Sequence, residues 1–218
     1  PIKMKLTLVI TALVCALGFA DVAEPACNGI RVRREIRSLS YGERQKYFHA
    51  IKRLNSGTRP NRYDYYTNMH LAWASRSHGD ARFLPWHRMF IREFEKDLQR
   101  QDPSIVLPYW DWARDAANPT ASDILSARLY GSNGSPGDRC VRDGVFAGWR
   151  VWYPTPHCLQ RNYDRGNSIS PWWGYRGLTD VINTSANYDT FRRRVEGPHG
   201  SVHVSIGGDF APMHSPNE

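Results

Sequence analysis

Several absences narrow the reading of this 218-residue sequence before any motif does. No apolar run reaches the roughly 20 residues that cross a bilayer; the longest, Leu6 to Leu17, is about 12. Internal repeats and low-complexity tracts are missing, which excludes solenoids and fibrous arrays. Acidic residues are few beside basic ones, 21 against 29, a net charge of +8. The basic residues nevertheless cluster only at Arg31 to Glu35 and at Arg192 to Arg194. They form no basic stripe with organised aromatics, so no nucleic-acid partner is expected. Four cysteines are too few for a disulfide scaffold.

The apolar run itself reads as a secretory signal peptide. Met4 reads as the translation start, Lys3 and Lys5 precede the run, and Gly18-Phe19-Ala20 supplies small residues at the cleavage position. The expected division is therefore residues 1–20 as signal and 21–218 as one domain, secreted and extracellular. Cleavage would remove Lys3 and Lys5 and leave a charge of +6, from 27 basic and 21 acidic residues. Cys15 would go too, leaving Cys27, Cys140 and Cys158. Export permits disulfides; Cys140 and Cys158 could pair, with Cys27 left over. Asn133-Gly-Ser and Asn183-Thr-Ser are glycosylation acceptors that fit an exported glycoprotein.

Hydrophobic periodicity then predicts a mainly α domain with long loops. Ser40 and Glu43 form a capping box ahead of Tyr47, Phe48, Ile51 and Leu54, and Asn55-Ser-Gly57 stops that helix. A second helix is expected over Tyr63 to Ala74, followed by a loop from Ser75 to Ala81. The third runs from Pro85 to about Gln101. It places His87, Phe90, Ile91, Phe94 and Leu98 on an inner face, and Arg88, Arg92, Glu95, Lys96 and Gln99 outside. From Asn118 to about Asn187 there is little periodicity, so aromatic-rich loops are expected. A last helix begins near Tyr188 or Pro198 and ends at Gly207-Gly208.

Five of the eight histidines carry the chemical argument. His70, His78 and His87 lie within a short aromatic stretch, one on a helix, one on a loop and one on a buried helix face. His199 and His203 are four apart, one turn along a helix. Imidazole suits copper, zinc, iron and nickel. A buried imidazole left without partners costs about 2–7 kcal/mol, so such a trio favours a metal. Two facing sites could handle dioxygen, although a sixth histidine at matching spacing is absent.

The flanking residues are more specific than the spacing. The trio with FLPWHRMFIREFE and LPYWDW resembles the first copper site of the tyrosinase family, which includes catechol oxidases and molluscan haemocyanin units. YDTFRRRVEGPHGSVHVSIGG resembles the start of that family's second site, and HSPNE the entry to its last motif. The resemblance runs from about Leu39 to Glu218. It implies four core helices bringing two histidine triads face to face around two coppers. It further implies dioxygen-dependent oxidation of phenols or catechols to quinones. His70, His78 and His87 would hold the first copper, and His199 and His203 the second. Glu196 matches a carboxylate thought to hold a water beside the second copper. Trp73, Phe83, Trp86 and Phe90 would pack around the site, with Asp111 as a structural or supporting carboxylate.

Three departures qualify this expectation. Gly200 stands where members that hydroxylate monophenols often have Asn, which favours catechol oxidation. Arg76 occupies the position of a cysteine that some members crosslink to the middle histidine, which argues against an oxygen carrier. The third ligand of the second copper falls beyond Glu218. His214 would have to leave a Pro-rich turn to replace it, so a C-terminally truncated chain, lacking its last core helix and poorly folded alone, is expected. The rivals are a non-catalytic extracellular matrix relative without the second copper, and a mononuclear zinc or copper site using only the trio.

Overall fold

The computed structural model describes residues 29–218. The expected signal peptide, Cys15 and Cys27 lie outside the described residues. Residues 33–218 form one compact unit. It is mainly helical: α1 (Tyr41–Leu54), α2 (Arg62–Ser77), α3 (Phe83–Gln101), α4 (Tyr175–Thr184) and α5 (Tyr188–Ile206). One two-stranded antiparallel ribbon, β1 (Arg150–Val151) and β2 (His157–Cys158), pairs Arg150 with Cys158.

Each long helix has a local reason to start. At α1 the capping box forms as expected: Ser40 Oγ accepts the Glu43 N–H at 3.3 Å, and Glu43 accepts the Ser40 N–H at 2.8 Å. Asn61 and Asp64 do the same for α2, with Asp64 Oδ2 accepting the Asn61 N–H at 2.7 Å. That box moves the start of α2 to Arg62, and the helix continues through Ser77, so His78 is its C-terminal cap rather than a mid-loop residue. α3 begins two residues earlier than expected, at Phe83. Pro85 is its third residue, where the missing N–H would have had no helical acceptor anyway.

α3 is more deeply buried than an amphipathic reading allows. Glu95, expected outside, is 5% exposed. Its carboxylate accepts from the Leu107 N–H at 2.8 Å and from Arg33 and Arg92. Asp97 is likewise buried, accepting from Tyr66, Arg62 and Arg100. Charges stay inside here because each is paired and hydrogen-bonded. Leu98 sits with Phe48, Ile51 and Leu54 in the main core between α1 and α3. A second core gathers Leu125, Tyr163, Ile169, Trp172, Val202 and Ile206 under α5.

The region expected to be loops is mostly that, with one helical exception, and the Cys140–Cys158 pairing allowed by the sequence forms. α4 forms within the region and packs on α5, and its Val181 is fully buried. Cys140 and Cys158 are disulfide-bonded, closing the 18-residue separation that carries the ribbon. α5 runs as one helix from Tyr188 through Pro198. Gly197 lacks the Cβ that the proline ring would crowd, which lets the helical backbone continue. It stops at Gly207, φ +69°, where a Cβ would stand 2.1 Å from the Asn162 carbonyl oxygen.

Candidate metal centre

The helices deliver five imidazoles to one cavity of about 480 Å³. α2 carries His70 on its inner face and His78 at its cap; α3 carries His87 in its second turn; α5 carries His199 and His203. One ligand-type atom from each of His70, His78 and His87 lies within 4.8 Å of the other two. His70 Nε2 is 3.3 Å from His87 Nε2, and His199 Nε2 is 3.0 Å from His203 Nε2.

The opposite ring nitrogens explain what those close approaches mean. His70 Nδ1 lies 2.7 Å from the Met213 carbonyl, His87 Nδ1 2.7 Å from that of Phe83, and His203 Nδ1 2.6 Å from that of Phe210. A carbonyl can only accept, so each of these Nδ1 atoms carries the proton and each Nε2 carries a lone pair. The 3.3 Å contact between His70 and His87 therefore sets two lone pairs against each other. A cation between them resolves that, and tetrahedral metal–nitrogen bonds of about 2.0–2.1 Å place two nitrogens about 3.3 Å apart. His199 adds a buried Nδ1 with no hydrogen-bond partner. The His203 Nε2 lone pair thus meets His199 Nε2 at 3.0 Å, either as the acceptor of a hydrogen bond or across a shared cation.

Burial also sets the protonation state. His87 and His199 are pushed down to about 4 by desolvation, reinforced by neighbouring imidazoles. His70 and His203 are lowered for the same first reason. All four are neutral at pH 7, the form that binds a metal.

The surroundings hold these rings from the side. The Phe83 ring lies 4.8 Å from His87, 5.8 Å from His78 and 5.2 Å from His199, touching imidazoles of both groups. Trp86 packs on His70 and His87, and Phe90 on His70. Trp73, expected among them, is 44% exposed and lies beside the Arg76 guanidinium. Its position on α2 turns it to the outer face. Asp111 also stands apart, accepting from Tyr175 and tying α4 to the Trp112 turn. Phe210, which the pattern did not single out, stacks on His203 at 4.2 Å.

Glu196 and Gly200 line the cavity. Glu196 Oε1 accepts the Gly79 N–H at 2.8 Å, joining α5 to the turn after His78. Arg192 donates to the Gly79 carbonyl at 2.9 Å and Tyr188 to that of Ala81 at 2.7 Å. His214 turns away from the five imidazoles, its Nε2 lying 3.4 Å from Asp209 Oδ1.

The model of the common central domain of tyrosinase matches residues 60–218, a span that holds all five histidines. The chain belongs to the tyrosinase family. It is 33% identical to a tyrosinase of Streptomyces antibioticus over 86% of its own length and 76% of that protein's. It is 34% identical to the tyrosinase-like protein phomQ1' of Diaporthe leptostromiformis, covering 88% of this chain and 60% of the relative. Among solved structures it resembles a polyphenol oxidase (mutant G292N) from Thermothelomyces thermophila. The TM-score is 0.68 at 25% identity, over 86% of this chain and 65% of that one. The chain thus spans only about 60% of the first curated relatives. The family is one of binuclear copper oxidases acting on phenolic substrates with dioxygen, and the donor set here, imidazole throughout, suits copper.

Proposed function

We propose that this chain is the copper-binding region of a secreted tyrosinase-type oxidase that converts catechols to o-quinones. His70, His78 and His87 would hold one copper, and His199 and His203 two corners of the second. When bound, copper supplies the binding and reduction of dioxygen. Overall, two catechols each give up two electrons and two protons, and one dioxygen becomes two waters.

The chain's own residues prepare that chemistry. Nδ1-anchored rings hold their lone pairs toward the cavity, as ligating histidines need. Phe83 and Phe210 fix ring planes and exclude water from the inner wall. Glu196, held through Oε1, keeps its second carboxylate oxygen for a water or a phenolic hydroxyl. A Cβ added at Gly200 would meet nothing within 4 Å, so the space beside His199 is open. The observation that carries the reading is the 3.3 Å contact of the His70 and His87 Nε2 lone pairs within the trio, which a shared cation reconciles.

Copper analysis with oxygen uptake tests it. Two coppers per chain and uptake with a catechol but little with a monophenol are expected; one zinc per chain would sink the reading. Fast monophenol turnover would refute the role given to Gly200, and Gly200→Asn is expected to raise the monophenol rate relative to the catechol rate. Export is supported by the disulfide and by Asn183, exposed near the end of α4. Asn133 is engaged instead: its Nδ2 donates to Gly166 O at 2.7 Å and its Oδ1 accepts from Gly134 and Tyr163. In a secreting eukaryotic host, Asn183→Gln should abolish the mass lost on enzymatic deglycosylation, and Asn133→Gln should leave it.

A further inference from the structure

One short segment holds an imidazole from each histidine group. The carbonyl of Phe210 accepts from His203 Nδ1 and the carbonyl of Met213, three residues on, accepts from His70 Nδ1. His87, by contrast, is anchored within its own helix, on Phe83. The orientation of one imidazole in each group therefore depends on where residues 210–213 lie.

Asp209 fixes that place. It is 1% exposed. Its Oδ2 accepts the Gln160 N–H at 2.7 Å, and its own N–H donates to Gln160 O at 2.9 Å. Its Oδ1 lies 2.9 Å from His157 Nε2, 3.4 Å from His214 Nε2 and 3.4 Å from Asn217 Nδ2. Contacts therefore reach it from the ribbon on one side and from the terminal turn on the other. The backbone just before it has no slack: Cβ atoms at Gly207 and Gly208 would stand 2.1 Å from the carbonyl oxygens of Asn162 and Gln160. Gln160 in turn follows Cys158, which the disulfide pins to Cys140.

We infer that Asp209 is a positioning residue for both copper sites, acting through the Phe210 and Met213 carbonyls to hold His203 and His70 in the Nδ1–H form with Nε2 toward the metal. This rests on the histidines being ligands, so the test separates the two ideas. In metal-free protein, imidazole nitrogen NMR shifts should report Nδ1–H at His70, His203 and His87. In Asp209→Ala, His70 and His203 should lose that uniform state while His87 keeps it. Copper affinity should fall tenfold to a hundredfold, the usual effect of disturbing partners behind a ligand. If Asp209→Ala does not fold, Asp209→Asn serves, because it keeps one acceptor for Gln160 and loses the other. An equal change at His87, or none at His70 and His203, would overturn the inference. Wild-type protein that binds no copper would overturn the ligand reading and leave the tautomer result standing.

Discussion

At the scale of single residues, the site works because burial keeps imidazoles neutral without leaving them idle. His87 and His199 titrate near 4, against about 6.5 for a free histidine. Between those values the unfolded chain binds protons that the folded one does not. The metal-free protein should therefore lose stability steadily as pH falls from about 7 toward 4. Denaturant titrations across that range check this; a flat profile would contradict the burial. Phe83 makes a second prediction. It is 4% exposed and touches imidazoles of both histidine groups, so Phe83→Ala should cost about 3–5 kcal/mol of stability. Most of this was legible in the sequence: the five histidines, Phe90 and Glu196 line the cavity, and Phe83 and Trp86 pack on the imidazoles. The Met213 and Phe210 carbonyls were not legible, because every residue carries a carbonyl and only the fold decides which two meet an imidazole.

The elements were readable where a local signal agreed with packing. Ser40 and Glu43 announce α1, and Gly207 stops α5 because only glycine fits beneath Asn162. Where a signal was weak, packing decided. α4 holds Gly177, Thr179, Val181 and Asn183, poor helix formers, yet the helix packs against α5 and buries Val181. Glu95 misled the reading of α3, since charge patterns do not reveal a partner such as Arg33, 62 residues away. The ribbon has too few ladder bonds to persist alone. Removing its disulfide by paired Cys140→Ser and Cys158→Ser changes should cost about 2–5 kcal/mol. It should also weaken copper binding, because β2 leads directly to Gln160 and Asp209. Unchanged melting would show that the core alone holds this region.

For the whole molecule, metal and fold should be one equilibrium. Nothing in an unfolded chain brings α2, α3 and α5 together, so copper selects the folded state. At a free copper concentration of 100 times Kd the gain is about 2.7 kcal/mol. Stripping copper with a chelator should lower Tm, and adding it back should restore the transition; a Tm indifferent to copper would place the ions off the five histidines. Within that equilibrium the Gly79 turn occupies a particular position. It sits between the cap of α2 and the start of α3, and α5 grips it by an amide and two carbonyls through Glu196, Arg192 and Tyr188. Its amide proton is thus guarded by a side chain from the other histidine group rather than by its own helix. Hydrogen exchange at Gly79 would clock how often α5 lifts off the His70–His78–His87 group, giving the histidine cluster a natural reporter of its own opening.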